Sequence, residues 1–331
     1  MRARTVKATG HDERGPVSVA TASLRPPFRP DHFDLVDLER LCWSTGTTIS
    51  VCLPARNEAS TVGSIVRTIR QDLVDGCGLV EEVLVLDDGS TDGTAEQAAL
   101  AGARVESVDA ILPELPAGSG KGNAMWKSLF ASRGDVICWV DADIRNFRSH
   151  FVWGLLGPLL VDPQIDLVKG FFRRPADGLS HGGGRVTELV ARPLIAKLFP
   201  HLAGIVQPLA GATAGRRELL ESIPLLEGWG VEFALLVDVV RQAGLDRLAQ
   251  VDLGSIEHDR GSLRKLAPQA IAILTAALRR AGLEDASAGS CEFLRFDEDH
   301  VGGVERVPVS ERPPMRQVAA YAARLAAEVP A

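Results

Sequence analysis

The stretch Asp-Val-Ile-Cys-Trp-Val-Asp-Ala-Asp-Ile-Arg-Asn, residues 135–146, places two acidic residues directly behind a short apolar run. Five apolar residues without a polar break are typical of a strand buried on both faces of a parallel sheet. Ligands of open α/β sheets bind beyond the carboxyl ends of the strands. Asp141 and Asp143 therefore offer carboxylate oxygens for Mg²⁺ or Mn²⁺ at that edge. The alternative is an Asp-rich turn that caps the next helix.

Similar patterns precede and follow this stretch. Short apolar runs alternate with helical periodicity, which predicts an α/β fold with a doubly wound, mostly parallel sheet. The predicted strands of the first half cover residues 49–53, 80–86, 103–108 and 136–140, and two more cover 167–172 and 248–253. Because parallel strands end at a common edge, we expect the polar residues behind them to converge there.

Composition limits the classes of function. The 331 residues are 46% hydrophobic, enough for one large α/β domain with an appendage or for two smaller domains. A net charge of −7 gives no general attraction to nucleic acid or to an anionic membrane. The five scattered cysteines indicate a reducing cytoplasm and no zinc module. Residues 1–22 are polar and are expected to be a disordered leader, and no apolar stretch is long enough to predict a transmembrane helix.

A glycine-rich turn, Gly118-Ser119-Gly120-Lys121-Gly122, opens the helix before the Asp-x-Asp stretch. Amides of glycine turns and of helix N-termini favour anions, and a lysine adds a point charge for phosphate. The spacing is not that of a Walker A motif. On its own such a segment is more often an ordinary turn, but beside a metal site it is a candidate for binding the diphosphate of a nucleotide.

Three segments of the second half also carry candidate residues. His258 follows a predicted strand, and a neutral imidazole is a good supplement to carboxylates around Mn²⁺ or Mg²⁺. Arg185 and Thr187 follow three glycines and could form an anion-binding nest for a small phosphorylated or carboxylated acceptor. Glu232 heads an apolar helix, where it either complements the helix dipole or faces the cleft and orients a sugar hydroxyl.

Several motifs together resemble a known family. The segments 54–58, 87–94 and 141–143 resemble the nucleotide-sugar domain of GT-A glycosyltransferases. The segments 118–123, 182–188, 208–211 and 257–260 are similar to those of actinobacterial glucosyl-3-phosphoglycerate synthases, and the likeness covers roughly residues 24–300. It implies transfer of glucose from UDP-glucose to the 2-hydroxyl of 3-phospho-D-glycerate with retention of anomeric configuration. It also implies a homodimer and a place in methylglucose lipopolysaccharide synthesis.

The resemblance assigns residues to roles. It implies a metal site at Asp143 and His258, with Asp141, Asp143 and Glu232 as the catalytic set. The residues implied for nucleotide-sugar binding are Pro54, Ala55, Arg56, Asn57, Glu58, Asp88, Gly118, Ser119, Lys121, Asp141, Ala142, Leu209, Gly211 and Glu232. Those implied for acceptor binding are Gly184, Arg185, Val186, Thr187 and Arg260.

The predicted organisation has four parts. The leader at 1–22 is followed by a nucleotide-sugar-binding α/β domain at 23–150, an acceptor-binding part of the same GT-A unit at 151–300, and a tail with a short helix at 301–331. Two alternatives stay open: a mannosyl-3-phosphoglycerate synthase that uses GDP-mannose, and a non-catalytic nucleotide-sugar sensor. Front-face attack is favoured over a covalent intermediate on Glu232, because nothing near that residue in the sequence marks an activated nucleophile.

Overall fold

The computed structural model describes residues 24–174, 184–257, 262–285, 289–296 and 300–328. The strands in these ranges are β1 (Ile49–Ala55), β2 (Glu82–Asp87), β3 (Arg104–Ser107), β4 (Val136–Trp139), β5 (Leu167–Arg173), β6 (Thr213–Arg216), β7 (Leu225–Leu226), β8 (Leu248–Ser255), β9 (Ser290–Phe296), β10 (Gly302–Pro308) and β11 (Glu311–Arg312). The helices are α1 (Leu35–Thr45), α2 (Val62–Ile69), α3 (Thr94–Leu100), α4 (Gly120–Ala131), α5 (His150–Val161), α6 (Arg192–Leu198), α7 (Arg217–Leu220), α8 (Val231–Ala243), α9 (Leu263–Arg280) and α10 (Ala319–Glu328).

A seven-stranded sheet runs through the molecule in the order β3-β2-β1-β4-β6-β5-β8. All neighbouring pairs are parallel except those of β6, which runs antiparallel to both β4 and β5. The predicted mostly parallel α/β sheet is therefore confirmed. The antiparallel strand was not predicted, because its four residues include a glycine and are too short to show a periodic pattern.

Helices cover both faces of the sheet. Alternate residues of a strand point to opposite faces, so Val51 joins one hydrophobic cluster and Cys52 the other. Val83 and Leu84 divide between the same two clusters. Burial on both faces explains why the strands appear in the sequence as continuous apolar runs rather than as alternating ones.

Pairing of the strands brings the polar loops together. β1 lies between β2 and β4 and is parallel to both, with Cys52 opposite Leu84 on one side and Trp139 on the other. The loops that follow these three strands consequently leave the same edge of the sheet. The side chain of Thr61, at the start of α2, donates a hydrogen bond to the Ala142 carbonyl at 2.6 Å and fixes the Asp-x-Asp turn there.

The two halves of the chain share this sheet. β4 from the first half pairs with β6 from the second, so the sheet crosses the expected boundary at residue 150. The β9–β10 hairpin likewise spans residue 300, where the tail was expected to begin. Strand β11 then pairs with β7, and Tyr321 of α10 is fully buried against the body of the protein. None of the helices in the described ranges has the length and apolar character needed to cross a bilayer.

Candidate active site

A cleft of about 960 Å³ opens beyond the carboxyl ends of β1, β2 and β4. It collects residues from both halves of the chain. The sequence-predicted residues that line it are Pro54, Ala55, Arg56, Glu58, Asp88, Lys121, Asp141, Ala142, Asp143, Gly184, Arg185, Val186, Thr187, Leu209, Gly211 and Glu232. The tertiary structure thus places the implied donor-binding and acceptor-binding residues around one space.

Three predicted residues, Asn57, Gly118 and Ser119, are not among those that line the cleft. Asn57 adopts a left-handed backbone conformation with φ +58°, and its Oδ1 accepts a hydrogen bond from the Thr91 amide at 3.0 Å. It therefore ties the loop after β1 to the loop after β2. Gly118 and Ser119 precede α4, and the Ser119 carbonyl accepts a hydrogen bond from the Gly228 amide at 3.3 Å. Their contact with a nucleotide sugar stays a prediction.

A buried lysine joins two carboxylates at the centre of the cleft. Lys121 lies on the first turn of α4, and its Nζ is 2.5 Å from Oδ1 of Asp141 and 2.7 Å from Oε1 of Glu232. Burial alone would lower the pKa of Lys121, but these two carboxylates outweigh burial and raise the pKa well above its usual value. The ammonium stays charged and holds both acids in fixed positions.

The charged cluster leaves no room for a side chain at residue 211, which is a glycine. A side chain on this residue would overlap the Asp141 carboxylate and the ammonium of Lys121. The backbone that leads into β6 therefore forms one wall of the charged cluster. Glycine permits this approach because it carries no Cβ.

A second buried lysine, which was not predicted from the sequence, lies next to this charged cluster. Lys169 is on β5, and its Nζ donates to the Ala210 carbonyl at 2.5 Å. Burial lowers the pKa of Lys169 to about 8, although the nearby Glu232 carboxylate opposes the shift. The signal was present in the sequence, since a lone lysine within the apolar run 167–172 is rarely buried without a partner.

Asp88 shows how the first two loops are linked. Its Oδ2 accepts a hydrogen bond from the Gly120 amide at 3.2 Å and lies 3.7 Å from Nη1 of the exposed Arg56. Burial raises the pKa of Asp88, and Arg56 opposes that rise. A carboxylate at this place can accept hydrogen bonds from a nucleotide, as expected from its position behind β2.

The predicted metal site extends beyond the described residues, because His258 and Arg260 lie outside them. Within the described ranges no cluster of three or more metal-binding side chains is present. Asp143 nevertheless lines the cleft and offers the hard oxygen ligands that Mg²⁺ and Mn²⁺ prefer, while Asp141 is held by Lys121. The donor chemistry on this side of the site fits a divalent cation.

Three hydrogen bonds, two of them to the Asn146 side chain, hold residues 255–257 beside the Asp-x-Asp turn. The Arg145 amide donates to the Glu257 carbonyl at 2.8 Å. The Glu257 amide donates to Oδ1 of Asn146 at 2.8 Å, and Nδ2 of Asn146 donates to the Ser255 carbonyl at 3.1 Å. Residue 257 is thus fixed to the loop that begins two residues after Asp143.

Further residues line the cleft that sequence reasoning did not select. Those that can contact an anionic or polar ligand include Arg174, Gln207, Trp229, Arg264, Lys265 and Arg295. Trp229 is half exposed, directly before α8. Nothing local marks these residues as site residues, because they reach this space only when the segments after β5, before β6 and before α8, together with α9 and β9, pack around the cleft.

Comparisons with known proteins agree with this geometry. The family model described as glycosyl transferase family 2 matches residues 50–168. The glucosyl-3-phosphoglycerate synthase of Mycolicibacterium smegmatis is 47% identical over 285 residues, which cover 85% of this chain and 92% of the relative. The chain belongs to the glucosyl-3-phosphoglycerate synthase family. This confirms both the resemblance seen in the sequence and the expected GT-A glycosyltransferase class.

Two solved structures share the fold of this chain. The crystal structure of the Mycobacterium tuberculosis synthase in complex with Mn²⁺, UDP-glucose and phosphoglyceric acid is 41% identical, with a TM-score of 0.77, and covers 88% of this chain and 96% of that one. A mannosyl-3-phosphoglycerate synthase from Rubrobacter xylanophilus is 37% identical, with a TM-score of 0.80 over 88% and 97% of the two chains. The fold is therefore shared by a glucosyl- and a mannosyl-3-phosphoglycerate synthase.

Proposed function

We propose that this family member transfers glucose from UDP-glucose to the 2-hydroxyl of 3-phospho-D-glycerate with retention of anomeric configuration. One observation carries the proposal: a single cleft combines the Lys121–Asp141–Glu232 cluster with the acceptor loop 184–187. The M. smegmatis and M. tuberculosis relatives, at 47% and 45% identity, are synthases of this product. Both substrates are anionic, and the cleft is lined by several arginines and lysines.

The donor would lie along the loops after β1, β2 and β4. Asp88 and Glu58 offer acceptors for hydroxyl and N–H groups, and the positive end of α4, with Gly120 and Lys121 in the cleft lining, favours the diphosphate. Glu232, fixed by Lys121, is placed to accept a hydrogen bond from a sugar hydroxyl. Because the protein holds these groups in position beforehand, the donor binds with little reorganisation of the site.

We assign the divalent cation, Mn²⁺ or Mg²⁺, to Asp143 together with His258. When bound, such a cation offsets the charge that grows on the departing diphosphate. The chain's own contribution is to hold the Asp143 carboxylate on a turn fixed by Thr61 and by the 145–146 to 255–257 hydrogen bonds. Asp143→Ala should abolish metal-dependent release of UDP, whereas a wild-type kcat would refute the assignment.

Retention is best explained by front-face attack. The carboxylate of Glu232 is only 2.7 Å from the Lys121 ammonium, so its negative charge is already balanced. A carboxylate paired in this way is a weak nucleophile. The acceptor hydroxyl would instead attack on the side of the departing diphosphate, whose oxygen takes the proton.

The alternative donor is GDP-mannose, which stays open because a mannosyl-3-phosphoglycerate synthase from R. xylanophilus shares this fold at 37% identity. Calorimetric titration of the full chain with UDP-glucose and with GDP-mannose, each with Mn²⁺, separates the two. Tighter binding of UDP-glucose and release of UDP in the presence of phosphoglycerate are expected. Preference for GDP-mannose would reverse the proposal, and binding of either donor without turnover would indicate a sensor.

We further propose a cytoplasmic homodimer that supplies methylglucose lipopolysaccharide synthesis. All five cysteines lie in the described residues and are free thiols, as is usual in a reducing compartment. The β9–β10 hairpin leaves Leu294, Phe296 and Val304 exposed, with Leu294 and Val304 directly opposite each other. An apolar strip of this kind supports association of two copies.

A further inference from the structure

We propose that Arg174 binds the carboxylate of the acceptor and so makes the enzyme select a phosphorylated 2-hydroxy acid over the corresponding phosphorylated alcohol. This inference rests on the proposed function. It concerns a residue that lies one position past β5 and lines the cleft. Neither the Asp-x-Asp motif nor the glycine-arginine loop contains it.

The two consecutive arginines at the end of β5 have different surroundings. Arg173 is largely exposed, and its Nη2 lies 4.0 Å from the Asp252 carboxylate on β8. Arg174 lines the cleft, as expected for a neighbour whose side chain leaves the strand on the other side. One arginine therefore belongs to the surface of the sheet and the other to the active site.

The Arg174 guanidinium is oriented by an aromatic ring and has an unsatisfied hydrogen-bond donor. Its central carbon lies 5.1 Å from the centroid of the Phe172 ring, a cation–π contact that fixes its plane. Its Nε is buried and has no hydrogen-bond partner within the part of the chain that the structure describes. A buried donor without a partner is costly unless a ligand satisfies it.

Arg174 shares the cleft with both the acidic turn and the acceptor loop. A methyl group added to Gly184 would be only 2.6 Å from Nη1 of Arg174, so the guanidinium packs against the first residue of that loop. Burial lowers the pKa of Arg174, and the carboxylates of Asp141 and Asp143 oppose that shift across the cleft. The guanidinium therefore lies beside the acceptor loop and in the same cleft as the two acids.

The chemistry of the acceptor indicates which protein residue binds each of its two anionic groups. Phosphoglycerate carries a phosphate at one end and a carboxylate on the carbon that bears the reacting hydroxyl. The group that binds the carboxylate must stand beside the Asp-x-Asp turn, where glucose is transferred. Arg174 meets this condition, and its planar fork matches a carboxylate in a bidentate manner. Arg185 and the backbone amides of residues 184–187 are then the partners of the phosphate.

The test compares 3-phosphoglycerate with glycerol 3-phosphate, which has an alcohol in place of the carboxylate. Calorimetry on the full chain with Mn²⁺ and UDP should show that Arg174→Ala weakens phosphoglycerate binding about 10- to 100-fold, as for a charged hydrogen bond. Binding of glycerol 3-phosphate should change less than about twofold. Arg174→Lys, which keeps the charge but loses the fork, should give an intermediate loss.

Two further variants sharpen the result. Arg173→Ala is the matched control and should leave both acceptors unaffected, because this arginine lies outside the cleft lining. Arg174→Gln keeps much of the side-chain volume but loses the charge and the fork, and it should reproduce the selective loss even if Arg174→Ala proves too unstable to measure. Equal losses for both acceptors, or no loss for either, would overturn the inference. If the wild-type protein bound neither acceptor, the proposed function itself would fail.

Discussion

Single residues in this protein have their properties set by neighbours that are distant in sequence. Lys121 and Lys169 are both buried lysines within the same charged cluster, yet their pKa values move in opposite directions. Lys121 contacts two carboxylates directly, whereas Lys169 donates to a backbone carbonyl. Direct contact with an acid outweighs burial in the first case, and burial dominates in the second.

A pH dependence of stability follows from Lys169. Its pKa of about 8 in the folded protein is below the ordinary value of 10.5, so between these values the unfolded chain binds more protons. Stability contributed by this residue therefore rises as the pH increases through that window, with a slope of at most about 1.4 kcal/mol per pH unit. Urea unfolding of the wild type and of Lys169→Met from pH 7 to pH 10 measures the difference. A difference that stays constant with pH would contradict the prediction.

Gly211 offers a second test at the scale of one residue. Gly211→Ala introduces a methyl group into the space of the Asp141 carboxylate and the Lys121 ammonium, so we expect kcat to fall by at least tenfold. Gly303→Ala is the control, because a side chain there meets open space. Steady-state kinetics of both variants would show a selective loss. A Gly211→Ala enzyme with the wild-type kcat would contradict the prediction, because Asp141 and Lys121 could then move aside without loss of activity.

At the scale of elements, strand β11 supports the donor side of the cleft from behind. Nε of Arg312 lies 2.7 Å from Oε1 of Glu227, and both side chains are buried. Nη1 of Arg312 donates to the Pro116 carbonyl at 2.8 Å, and the guanidinium stacks on Trp126 at 5.2 Å. A segment near the C-terminus thus connects the glycine-rich turn to the residues that precede α8.

Removal of this arginine should therefore be costly. Arg312→Ala leaves Glu227 buried without its counter-charge, and we expect unfolding to become easier by about 3–5 kcal/mol. Arg306→Ala removes an exposed pair with Glu292 and should cost less than about 1 kcal/mol. Chemical denaturation of the two variants makes the comparison. Similar losses would show that the buried pair has no special role.

At the scale of the whole molecule, the exposed apolar strip on strands β9 and β10 tests the proposed dimer. Phe296→Asp places a charge within the apolar surface formed with Leu294 and Val304, so it should shift the proposed dimer to monomer. Val301→Asp, at an exposed residue directly before β10, tests how far the proposed interface extends. Analytical ultracentrifugation measures the mass of each. A wild-type protein that is monomeric at micromolar concentration would refute the proposed dimer.

The sequence by itself determined the strand ends and the acidic turn behind β4. These features depend on residues within a few positions of one another: an apolar run, a following carboxylate, a glycine before a helix. The family resemblance rested on the same local segments. The local pattern was therefore sufficient to predict the α/β class. Sixteen of the predicted site residues line a single cleft.

Only the tertiary structure decided which charges meet. The pairing of Lys121 with Glu232, the insertion of β6 as an antiparallel strand, the burial of Lys169 and the placing of Arg174 beside Gly184 all join distant segments. These contacts depend on the order of strands in the sheet and on how the second half of the chain returns to it. No local periodicity records that order, because a side chain's partner across a cleft leaves no trace in its own sequence neighbourhood.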